Sequence, residues 1–213
     1  MKKIAIYGAG HLGIQFYNHL KNMDIEIVGF FDDTKTLGIN DEVPAPIIGN
    51  RKSIKEMYER GLFNFILLAI GYNHMNLRDQ LFWELKGYGV KFFTFIHHTC
   101  YLDKTTVVGE GAFIYPGCIL DFNVKIGSNV LLNNGCIISH DSIIGNSSYL
   151  APGVNISGFS NIGSCNFIGT GANLIDNIKT NDNITIGAGA LVLKNLTDAG
   201  VYVGCPVKRI KKK

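Results

Sequence analysis

A histidine directly followed by an aspartate, at His140 and Asp141, is the pair in this chain best suited to acid–base chemistry. An imidazole beside a carboxylate can take up a proton near neutral pH, because the carboxylate stabilises the protonated ring. The same residues can also be two solvated polar side chains in a turn, and adjacency alone favours this simpler interpretation. The surrounding sequence has to decide between the two.

A second candidate site is the glycine turn from Gly8 to Gly13, which follows a predicted strand and precedes a predicted helix. Closely spaced glycines let backbone N–H groups approach a phosphate, and a helix N-terminus favours the same charge. Asp32 and Asp33 end the next strand about twenty residues on, where an acid can hold a ribose or a base. Alternatively, the glycines only shape the turn and the aspartates begin a loop. The order of strand, turn, helix and acid favours a nucleotide site.

The position of the His–Asp pair follows from a six-residue repeat. Aliphatic residues occupy every sixth position from Leu102 to Val192, with Thr180 as the one exception, and a small or β-branched residue usually follows four places later. A period of six fits neither a helix nor an ordinary strand. It is typical of a coil with three flat faces and eighteen residues per turn. The sequence therefore predicts a solenoid of about five coils of stacked parallel strands.

The repeat places a glycine next to the pair. Gly158 follows His140 by eighteen residues and is predicted to lie directly above it in the next coil. We expect this glycine to leave room for a substrate beside the imidazole and to expose an N–H that stabilises an oxyanion. No cysteine or serine is paired with the histidine as an activated nucleophile, which favours direct transfer over a covalent intermediate.

Residues 1–96 are predicted to form an α/β domain with a parallel sheet, and residues 97–213 the solenoid with a short C-terminal tail. In the first domain we expect a loop over 34–50, punctuated by Pro44 and Pro46. The predicted strands are 4–7, 25–31, 63–70 and 90–96, and the predicted helices are 14–22, 53–60 and 76–86.

Composition argues against several classes of partner. Much of the net charge of +3 comes from the basic C-terminal tail, 208–213, and no basic stripe is interleaved with aromatic residues, so nucleic acid is a poor candidate. No apolar run can span a bilayer and no signal peptide is recognisable, so we expect a cytoplasmic protein. The five cysteines have no metal-ligand spacing, and no metal is expected. Cys118 and Cys136 are predicted to stack inside the prism as reduced thiols.

Several stretches together resemble the NeuD/PglD-type sugar acyltransferases of bacterial glycan pathways. The resemblance implies a small Rossmann-like N-terminal domain, followed by a left-handed parallel β-helix. It is carried by IYGAGHLG, FFDD, LLAIGYN, IHHTC, LLNNGCIISHD, IIGNSSYLAPGV, ISGFSNIG, IGAGALVLKN and VGCPVKRI.

The resemblance also implies acetyl-CoA-dependent transfer to a sugar amine or hydroxyl by a homotrimer with active sites between subunits. His140 would then be the general base and Asp141 the acid that raises its basicity, while Asn133 would lie near the acceptor. Tyr149 stands where the family often has a second histidine that places the thioester. The remaining acetyl-CoA contacts would be backbone groups of Gly158, Thr170 and Ala188.

The N-terminal domain would bind the nucleotide-sugar. Its turn departs from the family's usual Gly-x-x-Gly-His-Gly, so the phosphate contacts are expected to differ in detail. The residues implied are Gly10, His11, Leu12, Asp32, Asp33 and Gly71.

The leading hypothesis is an N-acetyltransferase acting on a nucleotide-linked amino sugar. O-acetylation of a sialic-acid-like sugar would use the same base, and a non-catalytic, nucleotide-binding trimeric scaffold is a further alternative. A nicotinamide oxidoreductase is the weakest hypothesis, because no catalytic domain for hydride transfer follows the N-terminal domain.

Overall fold

The structure is a computed structural model that describes residues 1–39 and 41–212. The chain divides into two compact units, Met1–Phe93 and the remainder from Thr94. Of the basic tail, Lys213 lies outside the described residues.

The first unit contains a four-stranded parallel sheet with helices packed on it. The strand order is β3-β2-β1-β4, and every pair is parallel. Short 3₁₀ turns at Arg51–Ser53 and Tyr72–His74 precede the second and third helices. In chain order the elements are β1 (Lys2–Tyr7), α1 (His11–Leu20), β2 (Ile25–Phe31), β3 (Ile47–Gly49), α2 (Ile54–Glu59), β4 (Phe65–Leu68) and α3 (Met75–Gly87).

Helix α1 forms because its apolar residues recur on one face. Gly13, Phe16 and Leu20 are buried, at the spacing of three to four residues that a helix requires. Met23, predicted for the same face, lies beyond the helix end and is 41% exposed. The helix begins at His11, three residues earlier than predicted, and Gly13 packs closely against Gly8 of the glycine turn.

Two predictions for this unit were wrong. The expected loop over 34–50 contains β3, whose Ile47 pairs with Phe30 of β2 and is buried. Residues 90–96 do not form one strand: Phe92 makes an isolated bridge to Ile66, whereas Phe95–Ile96 belongs to the solenoid. An apolar run shows that a segment is buried, but it does not show which sheet its backbone joins.

The second unit is a parallel β-helix with three faces, each a sheet of stacked short strands. Face 1 contains Phe95–Ile96, Phe113–Ile114, Leu131–Leu132, Tyr149–Leu150, Phe167–Ile168, Ile184–Ile186 and Gly200–Val203, and the antiparallel strand Lys208–Lys212 completes it. Face 2 contains Tyr101–Leu102, Ile119–Leu120, Ile137–Ile138, Asn155–Ile156, Asn173–Leu174 and Leu191–Val192. Face 3 contains Val107–Val108, Lys125–Ile126, Ile143–Ile144, Asn161–Ile162 and Lys179–Thr180.

The register between coils is the one that the repeat predicts. Ile137 pairs with Asn155 and Ile143 with Asn161, eighteen residues apart in each case. The aliphatic hexad positions from Ile114 to Val192 are all nearly inaccessible and form one continuous core. Cys118 and Cys136 are fully buried free thiols in that core, as predicted.

The exception in the repeat, Thr180, has a polar partner inside the prism. Its Oγ1 accepts hydrogen bonds from Asn166 Nδ2 at 2.7 Å and from Gly163 N at 3.1 Å. Asn166 is itself buried, at a position where most coils have a small side chain. A buried amide is costly unless it is hydrogen-bonded, so the threonine compensates for the asparagine.

These observations confirm the predicted fold class, a Rossmann-like α/β domain followed by a left-handed parallel β-helix. Among the described residues, no helix has both the length and the apolar character needed to cross a membrane.

Asp32 ties the glycine turn of the first unit to the end of β2. Its Oδ2 accepts a hydrogen bond from Ala9 N at 2.9 Å, and its Oδ1 accepts from Thr34 N and Oγ1 and from Lys35 N. Partial burial acts to raise the pKa of Asp32, but these hydrogen bonds outweigh it and hold the pKa below its ordinary value. The charged carboxylate therefore stabilises the folded turn.

We expect Asp32→Asn to lower the free energy of unfolding by about 1–3 kcal/mol near pH 7. Because the folded-state pKa is depressed, this contribution is fully present above the ordinary value of 3.8 and is lost as the pH falls through the folded value. Urea unfolding from about pH 7 down to about pH 3 should show the wild-type advantage shrinking. The control is Asp24→Asn, which changes an exposed aspartate. If the wild type kept the same excess in free energy of unfolding over Asp32→Asn at every pH, this account would be contradicted.

Candidate functional site

His140 and Asp141 lie at the edge of the prism between faces 2 and 3, which we call the second edge. His140 Nδ1 and Asp141 Oδ2 are 3.1 Å apart, and the two side chains are 45% and 28% exposed. An ionised carboxylate only accepts hydrogen bonds, so the proton belongs on Nδ1 and the lone pair on Nε2. The imidazole is thus arranged to act as a base through Nε2 while it remains accessible.

Asp141 reaches the imidazole because its backbone turns sharply. Its φ is +58°, in the left-handed region, and its N–H donates to Phe122 O at 2.9 Å in the coil below. Asp141 Oδ1 accepts a second hydrogen bond, from Asn123 Nδ2 at 2.8 Å. The bond from Asn123, followed by the contact with His140, lowers the pKa of Asp141. Sequence reasoning missed Asn123, although it precedes Asp141 by eighteen residues.

Gly158 lies directly above His140, as predicted, but it does not leave room for a substrate there. A Cβ on Gly158 would lie 2.7 Å from Cε1 and 2.8 Å from Nε2 of His140, so the imidazole itself fills that space. Gly158 is buried in the single chain. Its clearest role is therefore to let the imidazole pack against the backbone. That its N–H stabilises an oxyanion stays a prediction.

An aromatic ring completes the surroundings of the imidazole. The Phe159 ring meets His140 edge-on, with the ring centroids 4.9 Å apart and an interplanar angle of 87°. Phe159 N also donates to His140 O at 3.0 Å. The ring of His140 is thus held by Asp141, Gly158 and Phe159.

Other predicted acetyl-CoA contacts lie elsewhere on the prism. Thr170 and Ala188 are exposed at the edge between faces 1 and 2, which we call the first edge, and Gly189 N donates to Thr170 O across one coil. Asn133 occupies the same edge two coils below Thr170. The first edge and His140 are separated by one face of the prism. That face takes about six residues, which span at most about 20 Å when extended. A single chain therefore does not bring these residues together with His140.

Tyr149 belongs to face 1 and is nearly buried, at 8% exposure. Its hydroxyl accepts a hydrogen bond from Asn133 Nδ2 at 3.4 Å, and its ring lies 5.7 Å from that of Phe167. The structure thus joins two predicted site residues, Asn133 and Tyr149, at the border of face 1 and the first edge.

Cys100 is poorly suited to act as a nucleophile. Cys100 Sγ donates to Tyr115 O at 3.1 Å, and its interaction with Cys118, together with burial, raises its pKa. Thiolate character, which a nucleophile needs, is thereby suppressed. Among the described residues, no group of three or more histidine, cysteine or acidic side chains is placed to hold a metal ion.

The first unit brings the predicted nucleotide residues to one end of its sheet. The glycine turn, Asp32–Asp33 and Gly71 follow the carboxyl ends of β1, β2 and β4, which all run in the same direction. This end is where open α/β sheets bind ligands.

The N-terminus of α1 is open to an anion. Gly10 is its N-cap, no side chain among the described residues caps the helix, and no acidic residue lies in the first turn. The N–H groups of His11 and Leu12 belong to that turn, where backbone donors have no intrahelical acceptor. Gly13, by contrast, is required for packing, because a Cβ there would lie 1.9 Å from Gly8 O.

Asp33 already has two protein partners. Its Oδ2 accepts from Tyr7 Oη and its Oδ1 from Arg51 N, each at 2.8 Å. Burial, then the bond to Asp33, raises the pKa of Tyr7, so its hydroxyl stays a donor. With Asp32 tied to the turn, both carboxylates are oriented by the protein, and contacts with a ribose or base stay a prediction.

Two family models match the chain. The PglD N-terminal domain matches residues 3–85, and the bacterial transferase hexapeptide (six repeats) matches residues 123–158, which include His140 and Asp141. No curated protein matches the sequence.

Solved structures share the fold over the whole chain. PerB from Caulobacter crescentus, solved with CoA and GDP-perosamine, is 23% identical with a TM-score of 0.87, covering 99% of this chain and 98% of its own. The acetyltransferase domain of PglB from Neisseria gonorrhoeae is 24% identical with a TM-score of 0.83, covering 99% of this chain and 100% of its own. WeeI from Acinetobacter baumannii is 22% identical with a TM-score of 0.80, with the same coverage as PglB.

At these identities the likeness shows a common fold, and the family models assign its two parts. The chain joins a PglD-type N-terminal domain to a bacterial-transferase hexapeptide domain, which confirms its resemblance to the NeuD/PglD-type sugar acyltransferases.

Proposed function

We propose that this protein transfers an acetyl group from acetyl-CoA to the amine of a nucleotide-linked amino sugar. The observation that carries the proposal is the accessible imidazole of His140, held through Nδ1 by Asp141 at 3.1 Å. It lies within the part of the solenoid that matches the hexapeptide transferase model.

The arrangement favours direct transfer. The sugar amine attacks the thioester carbonyl carbon, and Nε2 of His140 takes the proton that the nitrogen loses. The tetrahedral intermediate then collapses, the C–S bond breaks, and the imidazolium returns the proton to the leaving thiolate. The products are an amide and CoA with a free thiol. Asp141 stabilises the imidazolium and fixes the ring, in the role that a carboxylate has beside a catalytic histidine.

The first unit is proposed to bind the nucleotide part of the acceptor. The open N-terminus of α1 can hold a phosphate through backbone donors of His11 and Leu12. Gly10 and Gly71 leave open space at this end of the sheet, since a Cβ on either would meet no atom of the described residues within 4 Å. The solved complex of PerB with CoA and GDP-perosamine supports this pairing of ligands for a protein of the same fold.

We further propose a homotrimer in which the second edge of one subunit meets the first edge of another. His140 would then act on acetyl-CoA held along the partner's Thr170 and Ala188, with Asn133 and Tyr149 nearby. Apolar side chains around the second edge are unusually exposed and suit a protein partner. They are Ile119, Phe122, Ile137, Ile143 and Phe159, each between 39% and 55% exposed.

O-acetylation of a free sugar acid would use the same base. The PglD-type domain and its open helix N-terminus favour a nucleotide-linked acceptor instead. The contact between His140 and Asp141 has no evident use in a scaffold, which argues against the non-catalytic alternative.

We expect His140→Ala to lower turnover by about 10²–10⁴-fold while the fold is kept, since removal of a general base costs that much. The assay follows thiol release from acetyl-CoA with UDP-, GDP- and dTDP-linked amino sugars. The control is His98→Ala, which changes an exposed histidine of the same unit. Wild-type turnover in His140→Ala would contradict the mechanism, and wild-type silence with every acceptor would contradict the proposed substrate class.

We expect Gly158→Ala to lower kcat by at least about tenfold, because its Cβ would displace the imidazole from its seat. The backbone at Gly158 has no positive φ, so alanine is tolerated by the chain itself. A double-mutant cycle with His140→Ala tests the cause: Gly158→Ala should add little to the residual rate when the imidazole is absent. An undiminished effect in that background would show that Gly158 acts independently of His140.

A further inference from the structure

We propose that Asn123 is the positioning residue of the His140–Asp141 pair, an inference that rests on the proposed function. Asn123 Nδ2 donates to Asp141 Oδ1 at 2.8 Å, while Asp141 Oδ2 faces His140 Nδ1 at 3.1 Å. Asn123 is thus one step removed from the base, in the coil below, and it acts on the base only through Asp141.

The geometry of this contact comes from the coil register. Asn123 and Asp141 are eighteen residues apart and have nearly identical left-handed backbones, with φ of +57° and +58°. Equivalent corner residues therefore project side by side from successive coils. Asparagine and aspartate are the non-glycine residues that adopt this conformation most readily, which suits both positions.

Asn123 is itself anchored from below. Its N–H donates to Thr105 Oγ1 at 2.6 Å, and that hydroxyl donates in turn to Asp103 Oδ1 at 2.6 Å. The hydroxyl proton is committed to Asp103, so Thr105 offers Asn123 an acceptor. A continuous series of hydrogen bonds, in which Asn123 donates to both of its neighbours, therefore connects the corner of one coil to the imidazole two coils above.

The chemistry of the contact fixes the orientation of Asp141. A carboxylate accepts hydrogen bonds, so the side-chain amide of Asn123 has to present its NH₂ group rather than its oxygen. With Oδ1 held by Asn123, rotation of the carboxylate is restricted and Oδ2 stays directed at Nδ1. At 28% exposure, an unheld Asp141 side chain would be free to exchange the imidazole for water.

The consequence is control of the histidine tautomer. A fixed Oδ2 keeps the proton on Nδ1, and the base needs its lone pair on Nε2. Gly158 and Phe159 hold the plane of the ring by packing, but neither selects which nitrogen carries the proton. That selection depends on Asp141, and the orientation of Asp141 depends on Asn123.

The test uses Asn123→Gly, which removes the amide and keeps a residue suited to the left-handed backbone. The matched control is Asn183→Gly, at an exposed corner with φ of +59° on a different edge. We expect kcat of Asn123→Gly to fall roughly ten- to a hundredfold with KM for both substrates little changed, because binding groups are untouched. Wild-type kcat in Asn123→Gly would overturn the proposal, as would an equal loss in the control.

A second variant separates positioning from structure. Asn123→Asp has the same shape and backbone preference, but it replaces the donor by an acceptor beside Asp141. We expect a loss of kcat at least as large as in Asn123→Gly that persists at high salt, where screening of the repulsion between the two carboxylates keeps the melting temperature close to that of the wild type. Retention of wild-type kcat by Asn123→Asp would overturn the proposal.

A spectroscopic readout does not depend on turnover. In protein labelled with ¹⁵N-histidine, the ring shifts of His140, assigned with His140→Ala, report the tautomer. We expect the Nδ1–H form in the wild type and a larger Nε2–H fraction in Asn123→Gly, and an identical ratio would overturn the proposal. If the wild type transfers no acetyl group, the proposed function fails, whereas the ring shifts still decide whether Asn123 sets the tautomer.

Discussion

The hydrogen bonds between successive coils set the register on which the rest of the solenoid depends. In the coils around the second edge each strand pairs with the strand eighteen residues away, so residues at that interval lie in one column. Two columns at the second edge contain the residues around His140. One column holds Phe122, His140 and Gly158, and the next holds Asn123, Asp141 and Phe159. A one-residue shift between these coils would move Asn123 away from Asp141 and Gly158 away from His140.

Backbone geometry also positions the groups of the first unit, but through strand ends rather than columns. Parallel strands bring the glycine turn, the two aspartates and Gly71 to one end of the sheet. There Asp32 is occupied by Ala9, Thr34 and Lys35, so its main contribution is to hold the turn in shape. Each candidate site thus depends on a carboxylate, Asp141 or Asp32, whose hydrogen bonds orient neighbouring groups of the protein.

The sequence predicted most of the solenoid, because a strict period of six leaves one arrangement of faces, edges and core. The same arithmetic placed Gly158 above His140, but it could not show that the imidazole fills the space over the glycine. The same interval of eighteen places Asn123 one coil below Asp141. It was missed because asparagine is common in turns, so its residue type alone does not indicate a functional role. The strand at Ile47–Gly49 and the division of 90–96 were missed because pairing partners are tertiary information.

We propose that His140 and the acetyl-CoA contacts lie on different edges, so that one active site would need two subunits. Subunit complementation tests this claim directly. His140→Ala disables the second edge, and Thr170→Trp, at an exposed position, is designed to obstruct the first. Each variant alone should be nearly inactive. Randomly mixed trimers should regain about a quarter of wild-type turnover, because half of each kind of edge is intact. A mixture that remains as inactive as its parents would contradict a site shared between subunits.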